Sequence, residues 1–252
     1  MRTGSLYELS ESEVHIWTLC TRASTAIPAV CERVLAKDEL DRADRFRFAH
    51  LRESFVIARA GLRCLLGRYL DICPADLRFI YGSKGKPALE SAAGVQFNMT
   101  HSGRLAAVAI TANCPIGVDL ELIRPLPDMQ QIAARFFCSE EAAEIMMLPA
   151  SERELAFFRC WTRKEAYIKA IGDGLSAPLD GFRVTMQPGA PARFVHIGHD
   201  TNAANAWTLH DLCFAPDYAA ALAYRGPQRS LSIFPIAGLE ELFSTPQPDR
   251  AF

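Results

Sequence analysis

The sequence has no C-x-x-C pair and no cysteine or histidine cluster at metal-ligand spacing, although its 252 residues include 8 cysteines. These stand singly at positions 20, 31, 64, 73, 114, 138, 160 and 213. Such scattering excludes the usual structural zinc motifs and points to reduced thiols rather than a disulfide framework. No stretch approaches the roughly 18 uncharged apolar residues that a membrane span needs. The opening MRTGSLYELSESEV lacks a basic cap followed by an apolar run, so no secretory leader is expected and the expected compartment is the cytoplasm. Net charge is only −2, with a pI near 6.3, which leaves no global attraction for nucleic acid. Neither nucleic acid nor a membrane is expected as a partner. The Gly-rich GSKGKP at 82–87 lacks the spacing of a Walker loop.

What is present suffices for a sizeable core: 50% of residues are hydrophobic, punctuated by 15 glycines and 15 prolines, in one domain or two smaller halves. The hydrophobic periodicity predicts a strand at VHIWTL (14–19) and a long helix from about Leu51 to Leu70. Short strands follow at LRFIYG, VQFNMT and RLAAVAIT, then the turn NCPIG (113–117) leads into GVDLEL. Helices are expected near Met129 to Phe136, Ser139 to Met147, with Ser139 as N-cap, and Glu152 to Ile171. Gly172 suits a helix stop. Strands FRVTM, ARFVHI, AWTLHDLCF and YAAALAY complete the chain, and FSTPQPDRAF reads as a loose tail. Each half thus presents a helix and then several short strands, with a junction near residue 114.

Several stretches carry chemistry. In GVDLE (117–121), Asp119 and Glu121 lie two apart on a strand and therefore on one face, where they repel each other unless a cation intervenes. In FFRCWTRKEAYIKAIGDGLS (157–176), Trp161, Glu165 and Lys169 form one helical stripe on a helix apolar nearly all round, which keeps its charges from bulk water; the alternative is an exposed Glu165–Lys169 helix pair. FNMTHSG (97–103) is read as following a strand and ending in a glycine turn, which presents Asn98, Thr100, His101 and Ser102 to phosphate oxygens. Arg52, Arg59 and Arg63 share one face of the first long helix, suited to phosphate or simply solvated. Carboxylates holding Mg²⁺ against a phosphorylated substrate account for this set of residue types.

The motifs FNMTHSG, GVDLE and WTRKEAYIKAIGDGLS, in this order and at these intervals, resemble those of the Sfp-type 4′-phosphopantetheinyl transferases. The similarity extends from Arg45–Gly67 through GKP (85–87) and RFF (135–137) to YAAALAY, with Thr100 where the family commonly has serine. The resemblance implies an α+β fold of two similar halves related by a pseudo-twofold, each a helix packed on a small antiparallel sheet, with the active site in the cleft between them. The halves are expected at residues 1–114 and 115–243, with 244–252 as the tail outside the resemblance. The implied reaction moves the phosphopantetheine arm of coenzyme A to a serine of an apo acyl or peptidyl carrier protein of fatty-acid, polyketide, non-ribosomal peptide or lysine-pathway type. It needs Mg²⁺ and releases adenosine 3′,5′-bisphosphate.

Carried over by position, the resemblance makes Asp119 and Glu165 metal ligands, with Glu121 the third ligand or the holder of a metal-bound water. Gly85, Lys86, Pro87, Thr100, His101 and, less directly, Arg59 become coenzyme contacts. Glu165 or a metal-held water is the candidate base, Lys169 the group that meets the departing phosphate, and His101 a pyrophosphate contact. A monomer is expected. Two other readings fit part of the pattern: a non-catalytic homologue that only binds coenzyme A or carrier protein, and a metal-dependent phosphodiester hydrolase, which normally gathers more His and Asp than the 6 scattered histidines here.

Overall fold

The computed structural model describes residues 7–22, 29–82, 84–90, 94–172, 178–186, 189–198 and 200–243. Residues 173–176 of the GDGLS motif and the tail at 244–252 lie outside the described residues. The first half runs β1 (Glu13–Cys20), α1 (Ala29–Arg33), α2 (Lys37–Ala43), α3 (Ala49–Leu70), β2 (Phe79–Tyr81), β3 (Pro87–Leu89), β4 (Val95–Ser102) and β5 (Leu105–Ala112). The second runs β6 (Ile116–Leu122), α4 (Met129–Phe136), α5 (Ser139–Met147), α6 (Ala150–Ile171), β7 (Phe182–Val184), β8 (Phe194–Ile197), α7 (Thr201–Asn205), β9 (Trp207–Leu212), β10 (Tyr218–Arg225), β11 (Ser230–Ile236) and α8 (Leu239–Phe243).

Strand periodicity builds four layers from these elements. In β1, Trp17 and Leu19 pack beneath α3, whereas Val14 and Ile16 point to the opposite face. There they meet Val118 and Leu120 of β6 and Leu222 and Tyr224 of β10, so the two main sheets share one central core. The outer face of the second sheet is a flat strip of Ala219, Ala221 and Ala223, on which the apolar side of α6 lies. No helix among the described residues is long and apolar enough to cross a membrane. All eight cysteines are free thiols.

The halves repeat one plan. The sheet orders β1-β5-β4 and β6-β10-β9 correspond strand for strand, and α3 and α6 are both 22 residues long. Even the buried charges repeat. Glu39, in the first turn of α2, accepts Arg59 Nε at 2.5 Å and Arg63 Nε at 2.6 Å. Glu141, in the first turn of α5, pairs with Lys164 Nζ at 2.8 Å, and Arg63 and Lys164 sit at the same position along their helices. Each acid also closes its own helix N-terminus by accepting the amide three residues back, from Ala36 and from Cys138. The cap of α5 is therefore Cys138; Ser139, expected as the cap, is already inside the helix and donates to Glu140 instead.

Other expectations change with the packing. The strand expected at VQFNMT runs on through His101 and Ser102 as β4, so the polar residues of FNMTHSG lie on the strand itself and not in a segment after it. The segment 230–236, assigned from sequence to the second half, returns as β11 and pairs in parallel with β1, from Glu13 beside Ser230 to Leu19 beside Ile236. The first sheet is thus mixed rather than purely antiparallel. Pro235 is compatible with this strand because β11 is at the edge. Arg59 and Arg63 do not form a solvated face; both are buried on Glu39, and Arg59 also donates to the Tyr81 hydroxyl at 2.7 Å.

The Glu141–Lys164 pair is fully buried on both sides. Lys164 further donates to the carbonyls of Leu179 and Phe182, and Glu141 accepts Val184 N at 2.8 Å. Removing one partner leaves an uncompensated buried charge, so Glu141→Ala is expected to lower unfolding free energy by roughly 3 to 5 kcal/mol. Urea denaturation checks this. A loss below about 1 kcal/mol would show that the pair orders its surroundings without stabilising them.

Candidate active site

The conspicuous local fact about β6 is that it touches α6 with nothing between them. A Cβ built on Gly117 would lie 2.0 Å from the Ala166 carbonyl oxygen and 2.4 Å from Ala170 N, so only glycine permits this approach. Two residues on, Asp119 shares the face of Gly117 and meets the α6 stripe that carries Glu165 and Lys169. Glu121 follows on the same face. The alternation expected for GVDLE is the observed one: Val118 and Leu120 turn into the central core.

Asp119 is 3% exposed. Its Oδ1 accepts Lys169 Nζ at 2.6 Å and Thr100 Oγ1 at 3.2 Å, while Lys169 Nζ also reaches Thr100 Oγ1 and the Val118 carbonyl. The partner of Lys169 is therefore Asp119 across the helix–strand contact; the helix pair with Glu165 considered from spacing does not form. Two oxygens face the site, buried and without a hydrogen-bond partner: Asp119 Oδ2 and Glu165 Oε1. Burial first, and then the charge of Asp119, push the Glu165 carboxyl up to about 7, with Lys169 opposing. Glu121 is also raised, chiefly by burial, against a 2.8 Å hydrogen bond from Ser102 Oγ.

The polar residues of FNMTHSG serve as a seam. β4 and β6 run side by side in the same direction without a ladder between them, and alternate side chains of β4 fill the gap. Asn98 Oδ1 accepts Val118 N at 2.9 Å, Thr100 reaches Asp119, and Ser102 joins both Glu121 and Leu122 N. Asn98 and Ser102 thus hold the acids in register. Their i, i+2, i+4 spacing with Thr100 along a strand is the sequence signal for this. His101 faces the other way along the strand and is exposed. Its imidazole is lowered from the ordinary value by desolvation and then by the charges of Lys169 and Arg42.

Beside this centre lies a cleft of about 440 Å³ between the halves, bounded by Tyr81, Lys86 and Pro87 of the first and by Pro115, Ala170 and Gly172 of the second. Gly85 has φ +80° in the turn that precedes it. The Lys86 ammonium, expected as a phosphate donor, is directed instead at the backbone carbonyls of Lys169, Ile116 and Ala170. Burial lowers its pKa to about 8. Arg59, the other expected phosphate donor, stays on Glu39. A larger concavity of about 800 Å³, between the first turns of α6, β9 and residues 189–193, contains none of the predicted site residues.

Among the described residues no three of His, Cys, Asp and Glu converge as a ready-made metal cage. The donor set nevertheless fits one hard divalent cation, because two buried carboxylate oxygens lack any partner and a third carboxylate, Glu121, adjoins them electrostatically.

Comparisons with known proteins agree with this geometry. The family model described as the 4′-phosphopantetheinyl transferase superfamily matches residues 115–223, the span containing Asp119, Glu121, Glu165 and Lys169. The chain is similar to the 4′-phosphopantetheinyl transferase HetI of Nostoc sp., with 37% identity over 221 residues, covering 86% of this chain and 90% of that protein. It is also similar to the 4′-phosphopantetheinyl transferase Sfp of Bacillus subtilis, at 30% identity over 167 residues, covering 62% and 73% respectively. With identity at that level over nearly the whole of HetI, and the family match falling on the strand and helix that carry the buried acids, the chain belongs to the 4′-phosphopantetheinyl transferase superfamily.

Proposed function

We propose that the protein moves the 4′-phosphopantetheine arm of coenzyme A onto a serine of an apo acyl or peptidyl carrier protein, with Mg²⁺, releasing adenosine 3′,5′-bisphosphate. The observation that carries this reading is the pair of buried, unpartnered oxygens, Asp119 Oδ2 and Glu165 Oε1, beside Lys169. Buried carboxylate oxygens with no donor are costly unless a ligand completes them. Asp119, Glu165 and, directly or through water, Glu121 would hold Mg²⁺, which when bound neutralises pyrophosphate charge and orients its oxygens.

The chain's own residues account for the remaining requirements. The carrier serine Oγ forms a bond to the β-phosphorus as the bond from that phosphorus to the oxygen of the leaving nucleotide phosphate breaks. Glu165 is the candidate acceptor of its proton, with a metal-held water the other; without metal, burial and the charge of Asp119 raise the Glu165 carboxyl to about 7, a shift that a bound cation would oppose. Lys169, fixed by Asp119 and Thr100, places a positive charge where the departing phosphate gains negative charge. His101, exposed at the end of β4, is the contact assigned to the coenzyme's phosphates. Gly85, Lys86 and Pro87 bound the inter-half cleft, which is of a size to take part of the coenzyme. The protein acts as a monomer in the cytoplasm.

Mass spectrometry of an apo carrier protein incubated with coenzyme A, Mg²⁺ and the protein tests the reading directly. The expected product is heavier by one phosphopantetheine group. Asp119→Asn is expected to reduce the rate about 10³-fold, and Glu121→Ala less, because a water can replace it. An Asp119→Asn protein with near-normal transfer would remove Asp119 from the site, and a wild type that binds coenzyme A without transfer would favour the non-catalytic alternative.

Glu165 supplies a prediction readable without activity. Its pKa is raised from 4.5 to about 7 in the folded chain, so the stability it contributes is present below about pH 4.5 and is lost as pH rises through about 7. Without divalent metal, Glu165→Gln should therefore match wild type near pH 4 and exceed it by roughly 1 to 3 kcal/mol near pH 8, a range reduced for partial exposure. Added Mg²⁺ should stabilise wild type and not the variant. A variant less stable than wild type at pH 8 without metal would contradict this electrostatic account.

Lys169→Met should reduce kcat about 10²-fold, roughly 2.7 kcal/mol, and also destabilise the fold by leaving Asp119 unpaired. Lys169→Arg separates the two effects: it should recover most of the melting temperature but only part of the rate, since a guanidinium keeps the charge but is a poor proton donor of different shape. Full recovery of both would reduce the role of Lys169 to charge alone.

A further inference from the structure

The Lys86 ammonium sits on carbonyls belonging to two different elements of the opposite half. It donates to Lys169 O and Ala170 O, at 3.4 Å for the latter, in the last turn of α6, and to Ile116 O at 3.3 Å, the first residue of β6. Helix C-termini leave carbonyls without intrahelical partners and carry partial negative charge, so a cation placed there is doubly favoured. Gly172, at φ +84°, ends α6 by returning its amide to Ile168 O, which leaves the carbonyls of Lys169 and Ala170 to Lys86. The lysine follows a hydrogen-bonded turn: Gly85 N donates to Gly82 O, Gly82 N donates to Lys86 O, and Gly85 adopts a positive φ between them.

The same two elements carry the chemistry. Lys169 itself supplies one of the carbonyls, and its side chain is the cation on Asp119; Ile116 begins the strand that reaches Asp119 three residues later. Gly117 fixes how close β6 and α6 come, but contact alone leaves them free to slide along each other. A donor bonded to both ends removes that freedom.

We propose that Lys86 is a positioning residue, whose ammonium ties the end of α6 to the start of β6 and so holds Lys169 in register with Asp119, rather than a ligand for a phosphate of the coenzyme. The inference rests on the transferase reading above. Its partial burial agrees: with its charge spent on three carbonyls and its stem along the cleft wall, the residue offers the coenzyme mainly its methylenes.

The test compares wild type, Lys86→Met and Lys86→Arg with coenzyme A and with 3′-dephospho-coenzyme A, using an apo carrier protein as acceptor. Lys86→Met should lower kcat about tenfold on both donors and leave the ratio of their KM values within about twofold of wild type, while Lys86→Arg, which keeps charge and donors, recovers most of kcat. A Met variant whose KM rises about tenfold for coenzyme A but not for the dephospho form would overturn the proposal and return Lys86 to the 3′-phosphate; an equal rise in both KM values with kcat intact would return it to the pyrophosphate. Unchanged kinetics would overturn it as well. Should Lys86→Met fail to fold, Lys86→Gln, which donates without charge, takes its place in the same comparison. If wild type transfers nothing, the function reading fails separately. The tie is then judged by urea midpoints, where a fall in the Met variant restored by Arg supports it and identical midpoints refute it.

Discussion

The contact of strand and helix at Gly117 is the constraint from which the rest of the site follows. Because no Cβ fits there, β6 and α6 approach closely enough that an acid two residues along the strand lies in reach of a lysine and a glutamate on the helix. The alanine strip of β10 extends the same closeness sideways, since larger side chains at Ala219, Ala221 or Ala223 would lift the helix. Close approach also removes water, and that is what raises the Glu165 carboxyl and makes an unpartnered Asp119 oxygen matter. Geometry and electrostatics here have one cause.

The first half shows what the same scaffold does without that chemistry. Trp17 pairs with Val108 as Asp119 pairs with Ala221, at matching places in equivalent strands, and Cys64 and Arg68 occupy the helix positions of Glu165 and Lys169. In place of an acid centre there is an aromatic cluster: Trp17 stacks on Tyr7 and Phe234, and Trp17 and His15 both bond to the Tyr69 hydroxyl. Burial pushes the Cys64 thiol up to about 12, so it stays neutral where Glu165 can ionise. Arg68 turns to the Tyr7 hydroxyl and the carbonyls of Glu241 and Leu242. Two copies of one framework therefore yield one reactive centre, because three positions differ.

Most of the fold was legible in the sequence where period and burial agree. The alternation in GVDLEL and YAAALAY, and the long apolar helices, carry their structure locally. The segment 230–236 was not readable: SLSIFPI buries few residues, contains a proline, and owes its conformation to a strand at the other end of the chain. The strand at VQFNMT was expected to stop short of His101 and Ser102, because its polar side chains bond to a neighbouring strand instead of entering a core. For the site, the acids and Lys169 could be picked out from type and spacing, but their pairing could not. Spacing suggested Glu165 for Lys169, and the fold gives it Asp119. Arg59 and Lys86 were assigned to the coenzyme by the resemblance, and each already has partners that only tertiary structure reveals.

The parallel pairing of β11 with β1 has a consequence for how the chain is made. During synthesis β1 emerges before its partner and exposes one hydrogen-bonding edge until residues 230–236 leave the ribosome, about 210 residues later. The sheet of the N-terminal half therefore stays one strand short until then, however closely its plan matches the second half. A pairing of such sequence separation is slow to form from an unstructured chain. The second half, with β6, α6, β9 and β10 complete before β11, has no such wait, so on the ribosome the half that is made later is the one able to close first.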